Sequence, residues 1–152
     1  MASQIGVTLK KLKSALLGLG IFDTVNLVEP KSPPGSGITA AIYFASAGPA
    51  ASASGLDRAS ALYVFTVRVY SNMLQEPAEE IDPVLVGAVD AVFDALAGDI
   101  DLGATVRNVD FFGSAGAPLL AKAGYVDVGG TMYRCVDILL PLIVNDSMAV
   151  FG

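Results

Sequence analysis

Acidic residues at short spacings are the side chains of this sequence that could support chemistry. Asp90 and Asp94 are four residues apart, so on a helix they would share one face and could hold a metal ion together. Two further pairs could act as acid and base, namely Glu79 with Glu80 and Asp99 with Asp101. Asp90 and Asp94 have no third ligand nearby in the sequence, and the other pairs stand at helix edges. We therefore interpret all of them as solvated carboxylates.

Nucleophilic chemistry lacks its usual base, because the sequence contains no histidine. Ser–His and Cys–His pairs and most zinc sites are thereby excluded. The single cysteine, Cys135, cannot form an internal disulfide, which favours a reducing compartment. The glycine-rich stretches "GLGIF" and "GSAGAP" lack the strand–loop–helix context of a phosphate-binding loop. The residues thus predict no enzyme activity, no metal site and no cofactor.

Charge is scarce for the surface of a chain of 152 residues. Apolar residues make up 53% of the sequence and charged residues 16%, whereas charged residues are about 25% of an average soluble chain. Either Ala and Gly cover much of the surface or other subunits do, and we expect both. The net charge of −6 argues against binding of nucleic acid through its phosphate groups.

Two amphipathic helices are predicted, one over about 3–20 and one that begins at Asp82, a favourable N-cap followed by Pro83. Their apolar stripes are Ile5, Leu9, Leu12, Leu16 and Leu19 in the first helix and Leu85, Val89, Val92, Phe93 and Leu96 in the second. The start of the chain resembles a signal peptide, but no cleavage pattern follows it. Residues 32–56 are too rich in Ser, Gly and Pro to span a bilayer. We expect neither a secretion signal nor a membrane span.

Strand patterns occupy the rest of the chain. The candidates are 24–29, 38–45, 61–72 and 102–113, then a connection at 114–124 and a hairpin over 125–144. The strand at 61–72 is apolar on both faces and is expected in the middle of a sheet. Gly129 and Gly130 supply the positive φ angles of a two-residue turn. The order of elements predicts an α+β fold: a single domain over 1–152, with a mostly antiparallel β-sheet flanked by two main α-helices.

A long loop is predicted at about 46–59, where the sequence reads "SAGPAASASGLDRA". Loops of this length are usually functional or disordered. Two interpretations stay open: a flexible surface loop, or an arm that orders against a neighbouring subunit. In the second case its two charged residues, Asp57 and Arg58, are expected to fix the register between subunits.

The last apolar run, "ILLPLIV" at 138–144, is interrupted by Pro141. Proline cannot donate to a strand ladder, so Pro141 is expected at an edge, a bulge or a strand end. An apolar edge needs cover, and we expect another copy of the chain to supply it in a head-to-tail contact that closes into a ring. Run 138–144 is then protected in the assembly. Arg134 and Asp137, isolated charges in this strand, are expected to pair with residues on neighbouring strands or subunits.

Three stretches carry a resemblance to a known family: "YVFTVRVYSN", "EEIDPVLVGAVDAVFDAL" and "VRNVDFFGSAGAPLLAKAGYVDVGGTMYRCVDILLPLIVND". With the order of elements, they make the chain resemble the tail terminator, or tail-completion, proteins of long-tailed bacteriophages, particularly those of actinobacterial hosts. The resemblance spans most of the chain. It implies a ring, commonly a hexamer, that caps the tail tube and later meets the head-side connector or stopper protein. It implies no enzyme activity, metal or cofactor.

In that setting DNA passes through the ring without specific binding, no membrane is contacted, and the protein lies at the neck of a virion assembled in the host cytoplasm. The alternatives are a tail-tube subunit or another head–tail connector subunit, and a small-ligand-binding α+β domain, which the missing histidine makes the weakest. Contacts with other subunits or with the tube are expected in the long loop, at the neighbouring residues Phe111 and Phe112, and in the terminal strand. The candidates are Pro49, Leu56, Asp57, Arg58, Phe111, Phe112, Leu139, Pro141 and Ile143.

Overall fold

The computed structural model describes residues 4–27, 38–49, 58–71, 81–98, 108–113, 116 and 118–149. This part of the chain contains two helices, α1 (Gln4–Gly18) and α2 (Ile81–Gly98), and neither is long and apolar enough to cross a membrane. It also contains six strands. They are β1 (Phe22–Asn26), β2 (Ile38–Pro49), β3 (Arg58–Ser71), β4 (Asn108–Val109), β5 (Leu120–Val128) and β6 (Thr131–Ala149).

The strands form one sheet in the order β1-β2-β3-β6-β4, with β5 also paired to β6. All pairings in the described part of the chain are antiparallel except that of β1 with β2. The long strand β6 has β3 along one side, while β5 and then β4 follow each other along its other side. The predicted α+β class, with a mostly antiparallel sheet and two helices, is confirmed.

Both helices pack against the same face of the sheet, which we call the helix-covered face. Their buried apolar residues are Leu12 and Leu16 of α1 and Leu85, Ala88, Val89, Val92 and Leu96 of α2. These meet strand residues that alternate along the chain: Ala40, Ile42, Phe65, Val67, Val69, Val136, Ile138, Leu140 and Leu142. Burying one such side chain stabilises the fold by about 1.5–3 kcal/mol. The periods of strand and helix therefore decide which residues form the core, as the sequence predicts for α2 and β3.

The turn between β5 and β6 is the two-residue glycine turn that the sequence predicts. Gly129 and Gly130 have φ angles of 62° and 87°. Other residues adopt such angles at a cost of about 1–2 kcal/mol. The carboxylate of Asp127 also accepts a hydrogen bond from the backbone N–H of Gly130 at 2.9 Å, which holds the turn in place. This turn fixes the register in which β5 lies along β6.

Pro141 lies inside the sheet, which corrects the expectation of an edge, a bulge or a strand end. It stands opposite Val64 of β3. On the other side of β6, the pairing with β5 ends at Leu139 and that with β4 begins at Leu142, and the carbonyl of Pro141 accepts from the N–H of Asp110 at 3.0 Å. A strand residue directs its N–H and C=O to the same side. The missing N–H of Pro141 therefore falls in the gap between β5 and β4 and breaks no bond with β3.

The apolar run 138–144 is covered by this chain itself, whereas the sequence predicts cover by a second copy. Ile138 and Leu142 are fully buried and Leu140 is 1% exposed, because helices lie on one side of them and strands on both flanks. Leu139 alone in the run is 37% exposed. The run around Pro141 is therefore not the free apolar edge that the sequence predicts.

Two predicted connections are shorter in the structure. Strand extends into both ends of the loop predicted at about 46–59, because β2 continues to Pro49 and β3 begins at Arg58, and residues 50–57 lie outside the described part. β5 begins at Leu120, within the connection predicted at 114–124. Pairing with β6 makes a strand of a segment whose Ala and Gly content does not favour one.

Candidate interaction surface

The face of the sheet opposite the helices, here called the open face, has a small buried cluster of its own. The cluster consists of Ala41, Tyr70, Val126, Val128, Tyr133 and Cys135, with Tyr43 partly buried against it. It shares no residue with the main core, which contains the buried apolar side chains of α1 and α2. Burial raises the pKa of Tyr70 and of the Cys135 thiol, so both stay protonated at neutral pH. Cys135 is thus an inert, space-filling residue here.

An ion pair crosses the centre of the open face. Arg68 on β3 stands directly opposite Asp137 on β6, and its Nε and Nη2 donate to the two carboxylate oxygens at 2.6 and 2.9 Å. The ring of Tyr43 lies 5.8 Å from the guanidinium carbon, within the range of a cation–π contact. The hydrogen bond to Asp137 raises the pKa of Arg68. The sequence predicts a partner for Asp137 on a neighbouring strand or subunit, and β3 supplies it.

Lys122 extends this pair into a row of three charges. It stands opposite Asp137 on the other side, on β5. Both oxygens of Asp137 already accept from Arg68, and Lys122 makes no ion pair with any residue that the structure describes. The row therefore contains two positive charges and one negative charge. Its excess positive charge, in a protein with a net charge of −6, favours an acidic group from outside.

A partly open depression of about 330 Å³ lies next to this row, along β5. Its lining residues are Leu120, Lys122, Ala123, Gly124, Tyr125, Cys135, Asp137 and Leu139. Gly124 leaves a gap in the side-chain layer opposite Cys135, and a Cβ added to it would meet nothing within 4 Å. Leu120 and Leu139, beyond Lys122 and Asp137 in the same depression, remain 48% and 37% exposed. An apolar wall with a charge at its side is suited to the side chain of a partner.

Among the described residues the sheet has two unlike edges, β1 on one side and β5 with the two-residue β4 on the other. On one side β1 pairs only with β2, and on the other side β5 pairs only with β6. Free strands present unpaired N–H and C=O groups, which are templates for another strand. β5 has nine residues and contains no proline, so only its charged residues discourage such pairing.

Those predicted interface residues whose side chains the structure describes do not form one cluster. Phe112 is 95% exposed in the turn after β4, whereas Phe111, its neighbour, packs against the main core. Leu139 lies in the depression on the open face. The structure places Pro141 and Ile143 inside the fold and not at a surface. Two of the five therefore remain as exposed apolar contacts.

The remaining four candidates lie in or next to the predicted long loop. Leu56 and Asp57 lie outside the described residues. Pro49 is the last residue of β2 and Arg58 the first residue of β3, so both stand at the ends of strands. Their side chains also lie outside the description, and the predicted role of Asp57 and Arg58 in subunit register stays a prediction.

The second charge that the sequence singles out, Arg134, pairs with a helix. Its Nε and Nη2 donate to the carboxylate of Asp82 in the first turn of α2 at 2.9 and 3.3 Å. The guanidinium carbon also lies 4.8 Å from the ring centre of Tyr125. The hydrogen bond from Arg134 lowers the pKa of Asp82. This pair ties α2 to the hairpin of β5 and β6, and both predicted charge partners lie within the chain.

Sequence reasoning missed the residues that give the open face its character, namely Leu120, Lys122, Gly124 and Tyr43. The alternation of "LAKAGYVDV" is a weak strand signal, because four of its first five residues are Leu, Ala or Gly. A stronger signal is its position directly before the predicted glycine turn. The strand after that turn is long, so the segment before the turn can pair with it over many residues.

No family model and no curated protein sequence matches this chain. Within the described residues there is also no group of three side chains that could hold a metal ion.

Proposed function

We propose that this chain is a structural subunit of a virion, which forms a ring at the head-proximal end of a long phage tail tube. The ring ends polymerisation of the tube and joins it to the head-side connector, and DNA passes through it without specific binding. The resemblance of the sequence to tail terminator proteins is the starting point for this proposal.

The observation that carries the proposal is that the described sheet has two unlike edges, β1 on one side and β5 with the short β4 on the other. A surface that must meet a different surface on the next copy generates a ring when the rotation closes. Exposed apolar residues lie near this second edge: Leu120 at the start of β5, Leu139 opposite it on β6, and Phe112 in the turn after β4. The low content of charged residues, 16%, fits a chain that is partly covered by copies of itself.

The test is the size and shape of the purified protein, measured by light scattering and negative-stain imaging, alone and with tail tubes. The proposal predicts discrete rings, or monomers that cap the ends of tubes. Long tubes formed by the protein alone would make it a tube subunit. A monomer that ignores tubes would contradict the proposal.

A small-ligand-binding domain is the second candidate, and the depression of about 330 Å³ is the observation that favours it. That volume is at the lower end of the range for ligand sites, which is about 300–1,000 Å³. Methyl NMR signals of Leu120 and Leu139, recorded with a library of small amphipathic compounds, test it. Selective shifts at micromolar concentration would support a ligand site, and unchanged signals in a protein that forms rings would exclude it.

A further inference from the structure

We propose that copies of this chain contact each other through the exposed faces of the two helices, with the basic face of α1 in one copy against the acidic face of α2 in the next. This inference rests on the proposed ring and names a surface through which it forms. The basic face consists of Val7, Lys10, Lys11, Ser14 and Leu17, and the acidic face of Pro83, Val86, Asp90 and Asp94.

The helix α1 carries positive charge only. Its sequence contains three lysines and no acidic residue. Lys10 and Lys11 are exposed, while Lys13 is half-buried on the flank of the helix. Val7 and Leu17 are 46% and 43% exposed. Residues three or four positions apart share one side of a helix, so the exposed lysines and these apolar side chains form one continuous stripe.

The helix α2 carries negative charge only. Its sequence contains three aspartates and no basic residue. Asp82 is engaged with Arg134, whereas Asp90 and Asp94 are exposed one turn apart. Val86, one turn before Asp90, is 56% exposed. This stripe therefore matches that of α1 in kind, with two charges of the opposite sign beside an exposed apolar side chain.

The charges of the two stripes are not used within the chain. Lys10, Lys11, Asp90 and Asp94 form no ion pair with any residue that the structure describes, although both helices cover the same face of the sheet. Each stripe is therefore available to a second molecule, and this chain itself provides a complementary stripe for each of them.

The signs of the charges decide which faces of two copies meet. A contact of α1 with α1, or of α2 with α2, brings like charges together and costs free energy. A contact of α1 with α2 of another copy pairs opposite charges and also covers the exposed valines and leucine. Such a contact joins two unlike surfaces, which generates a ring when the rotation closes.

The two helices lie toward different sides of the sheet. α1 packs on β1, the strand at one edge, whereas α2 packs on β3 and β6 and is tied to the hairpin of β5 and β6 by Asp82 and Arg134. β5 is an outer strand on that second side, where Ala121, Ala123 and Tyr125 direct their N–H and C=O groups away from β6. A contact between the two unlike sides of the sheet therefore brings α1 of one copy toward α2 of the other.

The test mixes two oppositely reversed variants. Lys10→Glu with Lys11→Glu makes the face of α1 acidic, and Asp90→Lys with Asp94→Lys makes the face of α2 basic. Each variant alone places like charges across the contact, so it should raise the protein concentration needed for assembly by about tenfold or more. An equimolar mixture should assemble nearly as well as the unchanged protein, because every contact between the two kinds of chain again joins opposite charges.

Two controls separate the contact from the stability of the fold. Lys13→Glu makes the same change of charge on the flank of α1 and should alter assembly far less. A chain that carries all four reversals should assemble with itself but not with the unchanged chain, a pattern that a loss of stability does not produce. Circular dichroism and urea unfolding of the dilute monomers check that each variant is folded.

Light scattering and negative-stain imaging, with and without tail tubes, give the outcomes. Rings recovered by the mixture support the contact and the proposed function. Particles of two chains recovered by the mixture support the contact but contradict the ring, because two copies can also pair their helices reciprocally. Variants that assemble as the unchanged protein does, or a mixture that assembles no better than its parts, overturn the contact while the ring stands. An unchanged chain that never assembles, alone or with tail tubes, overturns both.

Discussion

The two faces of the sheet are built from the same strands but serve different ends. On the helix-covered face the side chains are apolar and interlock with α1 and α2 in one continuous core. On the open face the same strands carry an ion pair, tyrosines and exposed leucines, and no described helix buries a side chain there. Neighbouring residues of β6 show the difference most simply, since Leu140 is 1% exposed and Leu139 is 37% exposed. Alternate residues of one strand thus either pack in the core or remain exposed on the open face.

The largest expected effect compares Leu140→Ala with Leu139→Ala. Truncation of Leu140 removes buried atoms and leaves a cavity in the main core, so it should lower the free energy of unfolding by about 2–5 kcal/mol. Truncation of Leu139, the matched control in the same strand, should lower it by about 1 kcal/mol or less. Urea unfolding of the monomers measures both values. Equal losses would show that the two faces do not differ as described.

A smaller effect is expected from the ion pair on the open face. The side chains of Arg68 and Asp137 are 22% and 33% exposed, so their bidentate pair lies between the buried and the exposed case. A double-mutant cycle with Arg68→Ala and Asp137→Ala should give a coupling of about 1–2 kcal/mol. The pair of Arg134 with Asp82, whose carboxylate side chain is 61% exposed, is the control and should couple less. A coupling near zero would mean that the pair of Arg68 and Asp137 contributes nothing to the stability of the fold.

The smallest effect is a change in the pH dependence of stability caused by Asp82→Asn. Because the hydrogen bond from Arg134 lowers the pKa of Asp82 below 3.8, the folded state binds this proton less well than the unfolded state. The contribution of Asp82 is therefore present above that pH and is lost as the pH falls through the folded value. The free energy of unfolding of the variant should be lower than that of the unchanged protein at neutral pH and equal to it in strong acid. A difference that is the same at all pH values would assign the effect to something other than this carboxylate.

Periodicity accounts for what the sequence predicts correctly. The stripe from Leu85 to Leu96 and the alternation around Phe65 depend only on local spacing, so both helices and the central strand are predictable. The glycine pair at 129–130 is equally local, since its φ angles exclude most other residues. These features place α2, β3 and the hairpin before any contact between them is known.

What the sequence does not predict depends on which strands become neighbours. Proline rules describe the missing N–H of Pro141, but they cannot show that the ends of β5 and β4 meet opposite it. The partners of Asp137 and Arg134 were expected on neighbours in general, and only the register identifies Arg68 and Asp82. The open face was missed for the same reason, because Lys122 and Gly124 gain their meaning from the residues across from them.

Hydrogen exchange, compared between the dilute monomer and the assembled protein, tests the central claim most directly. The claim is that β6 belongs to the interior of each chain and that β5 is the strand that assembly covers. Amides of Ala121, Ala123 and Tyr125 should exchange fast in the monomer and slowly in the ring, while those in 138–144 should be slow in both. Fast exchange of 138–144 in the monomer, or β5 amides that assembly leaves unchanged, would contradict the claim.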